Sequence, residues 1–416
     1  YTNRLMTIFF KDNQPFVEGV CVNDIINSQA TPFYIYSQEA ITTTYYKLKK
    51  ALSSEIFFSV KANSNQAILK LMQSLGAGAD TVSVGELERA VHAGFDPSKI
   101  IFEGVGKSQQ DIEFAIQHNI RLINVESLEE LQLINQLGQS LNKIINISVR
   151  LNPDIDGLTL DKISTGKKTD KFGITLDQLT EVIQLVQSSH HVNLKGISCH
   201  IGSQIYDIAI FEKVFTRMKK TASLILSYNI QINYVDLGGG FGVNYDDKTN
   251  ELDITSINKL VHSTFDKEPY EISFEPGRYL IARAGIIITK ILTRKKNGGI
   301  HYLITDAGMQ TLIRPALYNI VHRVTALQNN SVHNDVYTVA GPICESSDII
   351  AKDISLPDQQ MGNHLVIHDT GAYGAVMASN YNSRGFPAEI LIHKEKYFVI
   401  HQPEKITDII KRDHIP

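Results

Sequence analysis

The chain has 416 residues, room for two or three domains at about 150 residues each. Apolar residues make up 43% and charged residues 20%, the balance of a globular chain with a large core, and no run reaches the ~20 apolar residues of a membrane helix. Lys plus Arg number 40 against 44 Asp plus Glu, a net charge of −4, so composition gives no basis for a nucleic-acid or membrane partner.

Residues 1–13 lack the basic segment and apolar run of a secretory leader. Residues 5–12 and 15–22 read as short strands. From 55 onward, eight short runs rich in Val, Ile and Phe follow at 55–60, 79–84, 100–104, 121–125, 145–151, 194–200, 233–238 and 270–276. Helical patterns separate them, for example at 65–76, 84–94 and 127–138. Eight strands alternating with helices predict an α/β fold, a closed (β/α)8 TIM-like barrel. The stretch 152–174 is then a long loop on the catalytic face, after the fifth strand. Beyond 285 the runs are β-like with few helices between them, which predicts a C-terminal, mostly antiparallel β domain. The expected domains are a barrel over 28–280 and a β-sandwich or β-barrel-like domain made of 1–27 plus 281–416, completing the active site.

The three cysteines, Cys21, Cys199 and Cys344, form no CxxC pair and are odd in number. That argues against a disulfide scaffold or a structural zinc site, and no metal is expected. A reducing, cytoplasmic setting is the natural expectation.

Lys61 follows the first barrel run, in FFSVKANSN. At the C-terminal mouth of a barrel, a partly desolvated lysine is suited to Schiff-base chemistry, although from this segment alone a solvated lysine at a strand end is the more ordinary reading. The segments VDLGGGFGVNY (235–245) and EPGRYL (275–280) follow the seventh and eighth runs, where this fold often binds phosphate. The dinucleotide pattern GxGxxG is not met, because Val243 stands where the third glycine belongs. A tight turn is the competing reading. Glu275 and His200 end the eighth and sixth runs, where a carboxylate suits a protonated ring nitrogen and an imidazole suits a flat ring. With a lysine and a phosphate loop, they make the parts of a pyridoxal-phosphate site. The β half adds DAGMQTLIRPALY (306–318), AGPICESSD (340–348) and DTGAYGAVMASNYN (369–382), loops dense in reactive side chains.

FSVKANSN, GAGADTVSVGEL, TGKKTDKFGI, CHIGSQI, VDLGGGFGV, EPGRYL, DAGMQTLIRPALY, AGPICESSD and ASNYNSRGFPAEIL occur in this order. Together, over residues 30–395, the chain resembles the fold-type III pyridoxal-phosphate-dependent decarboxylases, in particular the branch that converts meso-2,6-diaminopimelate to L-lysine and CO2. The resemblance implies a pyridoxal 5'-phosphate cofactor held covalently by Lys61 and contacted by Asp80, Arg150, His200, Ser203, Gly239, Glu275, Gly277, Arg278 and Tyr373. It implies substrate contacts from Arg278, Arg314, Tyr318, Glu345 and Tyr373, and a proton donated by Cys344. It also implies a homodimer, with the Cys344 loop coming from the other subunit.

The substrate has a chemical argument as well. Arg278 and Arg314 suit a carboxylate and Glu345 a distal ammonium, and diaminopimelate carries both groups at its far end. Ornithine and arginine lack the second carboxylate. The rivals are a decarboxylase of the same fold for ornithine, arginine or carboxynorspermidine, an amino-acid racemase, and an inactive relative. Glu275 argues against the racemases, which typically set Arg against the ring nitrogen. TLDKISTG (159–166) departs from the THPYISTG common in relatives.

Overall fold

The computed structural model describes residues 8–12, 14–163, 165–245, 251–328 and 333–416. Part of the expected strand at 5–12 and Ser164 of the 159–166 segment lie outside them. The chain divides into two compact units, one of Tyr45–Val243 with Asn250–Tyr279, the other of Tyr1–Thr44, Asn244–Thr249 and Leu280–Pro416.

The first unit is built on eight strands: Glu55–Ser59 (β1), Gly78–Thr81 (β2), Ile100–Phe102 (β3), Leu122–Val125 (β4), Ile145–Asn152 (β5), Val192–Cys199 (β6), Tyr234–Asp236 (β7) and Glu271–Phe274 (β8). Each pairs in parallel with the next, and β8 pairs with β1, so the barrel closes. Side chains two apart share a face of a strand. Phe57, Ile101, Leu122 and Tyr234 therefore meet in one buried apolar cluster. Two positions further along stand the buried polar residues Ser59, Asn124 and Asp236 on their strands and Glu103 just past the end of β3. Arg121 closes the apolar end, its guanidinium 5.5 Å from the Phe57 ring and 5.0 Å from that of Tyr234, paired with Glu55 and Glu271.

The helices Gln66–Ser74, Val84–His92 and Leu128–Leu141 match three of the expected patterns. Asn65, Ser83 and Ser127 cap them, each side chain accepting a backbone N–H of the first turn. The loop after β5 is anchored by Asn152, whose Nδ2 donates to the carbonyls of Lys167 at 2.8 Å and Phe172 at 3.2 Å.

The second unit contains a sheet in the order Ile349–Pro357, Asn334–Ala340, Ile300–Thr305, Gly285–Asn297, Phe33–Ser37, Ala388–His393, Lys396–His401. Most neighbours are antiparallel, but Ile300–Thr305 with Asn334–Ala340 and Phe33–Ser37 with Ala388–His393 are parallel. One expectation needs correction. The first boundary falls at 44/45, not 27/28, because Phe33–Ser37 is a fully buried central strand of this sheet, paired on both sides. The early strands Ile8–Lys11, Gln14–Val17 and Val20–Cys21 belong to this unit, as expected, but form a small sheet of their own within it.

Candidate active site

The polar residues of the barrel gather at the C-terminal ends of its strands. Lys61 lies two residues past β1, in the 3₁₀ turn Val60–Ala62, beyond the strand end where the sequence reading put it. Its Nζ is 3.3 Å from Asp80 Oδ2 on β2. The Ser59 hydroxyl sits between Asp80 Oδ2, at 2.8 Å, and the Glu275 carbonyl, at 2.9 Å. Glu275 and His200 directly follow β8 and β6, and Arg150 lies on β5. Arg150 Nη1 donates to Glu126 Oε1 at 2.7 Å and lies 3.6 Å from Glu103 Oε2. Arg278 Nε donates to Ser203 Oγ at 3.1 Å.

Asp80, Glu103 and Glu275 are buried and offer oxygens within 4.8 Å of one another. Burial, then the anions Asp236, Glu103 and Asp80, pushes the Glu275 carboxyl well up, and Lys61 only partly opposes this. Burial also raises Asp80, against the pull of Lys61. Burial acts upward on Glu103 too, yet Arg150 and Lys61 outweigh it and hold that carboxyl below its usual range. His200 is pushed down to about 3, by burial first and then by the cations Lys61 and Arg150. The Gly239 N–H donates to His200 Nδ1 at 3.2 Å, so the neutral ring carries its proton on Nε2.

The loop after β7 needs its glycines. Gly238 has φ +70°, a left-handed conformation, and a Cβ on Gly239 would lie 2.3 Å from the Glu275 carbonyl oxygen. Asp236 Oδ1 accepts the Gly238 N–H at 2.7 Å and fixes the turn.

In the other unit, Arg314 and Tyr318 lie on the short helix Arg314–Tyr318. Arg314 is buried, its guanidinium carbon 4.9 Å from the Tyr245 ring centre. Cys344 is exposed and not in a disulfide, and its N–H donates to Asn382 Oδ1 at 3.2 Å. Glu345 accepts from Tyr381 Oη at 2.5 Å and from Ser347 Oγ at 3.0 Å, and these bonds lower its pKa. Asp348 braces this loop by accepting the N–H groups of Met309 and Ile343. Tyr373 has φ +56°, an uncommon conformation for a bulky residue.

Residues 38–282 match the family described as "Pyridoxal-dependent decarboxylase, pyridoxal binding domain". The chain is 37% identical over 402 residues to the diaminopimelate decarboxylase of Vibrio cholerae, covering 96% of each chain. It is 34% identical to that of Aquifex aeolicus, covering 97% of this chain and 96% of the other. A solved diaminopimelate decarboxylase from Helicobacter pylori, complexed with L-lysine, superposes with a TM-score of 0.90 at 36% identity, covering 94% of this chain and 98% of that one. The enzyme from M. jannaschii, also in complex with L-lysine, gives a TM-score of 0.93 at 34% identity, covering 99% and 98%. The chain belongs to the diaminopimelate decarboxylases.

The barrel of this diaminopimelate decarboxylase family member fits the cofactor chemistry that the family's name carries. Glu275 Oε1 is buried and has no hydrogen-bond partner among the described residues, as does Asp80 Oδ1. Unpartnered buried carboxylate oxygens are costly and call for a cationic or N–H group. A protonated ring nitrogen is such a group. Gly239→Ala tests the glycine cradle: its Cβ would force the loop away from Glu275, and cofactor affinity is expected to fall about tenfold or more at an overpacking cost of ~1–3 kcal/mol. Equilibrium titration of the apoenzyme with pyridoxal phosphate measures it, and unchanged affinity would refute a role for that close approach.

Sequence reading missed Glu103 and Glu126. Glu126 accepts from Arg150, from the Gly104 N–H at 3.2 Å and, through Oε2, from the Gly173 N–H at 2.8 Å. It thereby joins β4, the β3 loop, β5 and the end of the long loop. Their signal was present, as each carboxylate directly follows a barrel strand. Tyr381 and Asn382, in the motif ASNYNSRG, were also given no role.

Proposed function

We propose that this enzyme decarboxylates meso-2,6-diaminopimelate to L-lysine and CO2, using pyridoxal 5'-phosphate, as a cytoplasmic homodimer. The observation that carries the reading is the presence, in one barrel mouth, of Lys61 and a buried carboxylate, Glu275, whose Oε1 has no hydrogen-bond partner among the described residues. Likeness to diaminopimelate decarboxylases solved with L-lysine supports the substrate. Among the described residues, no helix is long and apolar enough to cross a membrane.

When bound, the cofactor supplies an aldehyde for amine exchange and a ring that takes up the electron pair left by CO2. Lys61 would hold it through Nζ, as the amine exchanged with substrate and product. Glu275 Oε1 would accept the ring N–H and keep it protonated. His200, neutral and held by the Gly239 N–H, would contact the ring without adding charge. Asp80 orients Lys61, and Arg150 balances the surrounding carboxylates. Ser203, Gly239, Gly277 and Arg278 would hold the phosphate, and Tyr373 would contact the cofactor. Arg278, Arg314 and Tyr318 take substrate carboxylate, and Glu345 the distal ammonium. Cys344 Sγ delivers a proton to the α-carbon, from the partner subunit's loop.

A CO2-release assay with meso-diaminopimelate, with L-lysine identified as product, tests the reaction. L-Ornithine, L-arginine and carboxynorspermidine serve as competitors. Absence of lysine formation sinks the proposal. Cys344→Ala is expected to lower kcat about 10²-fold or more while leaving the cofactor bound, the scale of a lost general acid. Near-normal turnover would remove Cys344 from the mechanism.

A further inference from the structure

Two buried histidines of the unit that holds Arg314 have no part in the roles above. His322 is 0% exposed and His368 5%. Arg314 Nη1 lies 3.1 Å from His322 Nε2. A guanidinium only donates, so Nε2 carries a lone pair. His322 Nδ1 lies 2.8 Å from the His368 carbonyl oxygen, which only accepts, so the ring proton sits on Nδ1. His322 is therefore neutral, in one fixed tautomer. The next layer repeats the logic. Arg323 Nη2 donates to His368 Nδ1 at 2.9 Å, leaving its Nε2–H to donate to Thr325 Oγ1 at 2.9 Å.

Arg314 is thus gripped from two directions. The Tyr245 ring covers the guanidinium, with Tyr245 Oη 3.3 Å from Nη1, and His322 accepts from that same nitrogen. The Tyr245 ring also stands edge-on to His322, 5.4 Å between ring centres, and locks its plane. A guanidinium recognises a carboxylate through a planar fork, so whatever sets its plane sets its selectivity.

We propose that His322 is a positioning residue for substrate selection: as a neutral acceptor it orients the Arg314 guanidinium toward the distal carboxylate of the substrate. The inference rests on the reading of Arg314 as a substrate residue. L-Lysine keeps that carboxylate after decarboxylation, whereas 1,5-diaminopentane has none, so the two ligands report on it without turnover.

The test uses the holoenzyme with two polar variants. Asn at 322 reaches only the Nδ1 position, so His322→Asn keeps the bond to the His368 carbonyl and loses the acceptor for Arg314. His322→Gln places a carbonyl where Nε2 was. We expect His322→Asn to raise KM for meso-diaminopimelate and weaken L-lysine binding about tenfold, the scale of one bond to a charged group. Cofactor absorbance, kcat at saturation and 1,5-diaminopentane binding stay within about twofold of wild type on the same grounds. His322→Gln is expected to recover most of the L-lysine affinity. If His322→Asn leaves L-lysine binding unchanged while Arg314→Gln weakens it, the inference fails and the substrate reading stands. If Arg314→Gln also changes nothing, both fail. Equal loss in both His322 variants, with 1,5-diaminopentane weakened too, means a merely structural histidine and also overturns the inference.

Discussion

Lys61→Ala is expected to abolish turnover, with a loss of about 10³-fold or more, and to remove the yellow absorbance of covalently held cofactor. The reason begins with placement. β1 and its 3₁₀ turn deliver Nζ to 3.3 Å from Asp80, whose side chain is wholly buried. The amine is thereby oriented by a carboxylate that cannot turn to solvent, and its side chain is still 33% exposed, accessible to a ligand. Removing it takes away the proposed nucleophile and also a cation that acts on Asp80, Glu103 and Glu275. Lys61→Arg separates the two effects. It restores a positive charge but no amine, so the fold and noncovalent cofactor binding should survive while covalent attachment does not. Borohydride reduction followed by peptide mapping checks it. A labelled peptide lacking residue 61, or activity retained in Lys61→Arg, would overturn the assignment.

Glu275→Gln is expected to lower kcat about 10²–10³-fold with cofactor still bound, the scale of losing one preorganised electrostatic partner of a reacting group. The amide keeps the shape of the carboxylate but not its charge, so on the proposed role it would no longer hold the ring nitrogen protonated. The same substitution has a signature in the apoenzyme. The folded-state pKa of Glu275 is raised by burial and by Asp236, Glu103 and Asp80. A raised pKa means that folding favours the protonated form. This contribution is fully present below the unfolded value near 4.5 and is lost as pH rises toward the folded pKa. Apo Glu275→Gln, neutral at every pH, should therefore melt above wild type at neutral pH, with the gap closing toward about pH 4.5. Saturating cofactor should reverse the order, because the wild-type carboxylate then has its cation. Calorimetric scans of apo and holo forms across pH 4–8 measure both signs. A gap independent of pH would exclude Glu275 as the titrating group.

The barrel strands were legible because a buried parallel strand is a short apolar run, and because chemistry in this fold collects where such runs end. FSVKANSN, CHIGSQI and EPGRYL each carry a polar residue at that point, and Lys61, His200 and Glu275 stand at the barrel mouth as their positions implied. The strand Phe33–Ser37 was not legible as part of the β unit. Its partners lie some 250 and 350 residues further along, and nothing in FYIYS says which sheet it joins.

The sequence by itself thus determined the architecture and the family, and placed the proposed reacting residues at strand ends, because these follow from local periodicity and from motifs whose order survives in the chain. Tertiary structure alone decided which carboxylates share a field, and which proton each imidazole holds. Glu103 and Glu126 matter because Arg150 lies between them. His322 is fixed as a neutral acceptor only by Arg314 on one side and the His368 carbonyl on the other. Charge state and hydrogen-bond direction are properties of neighbours, and those neighbours exist only once the chain has folded.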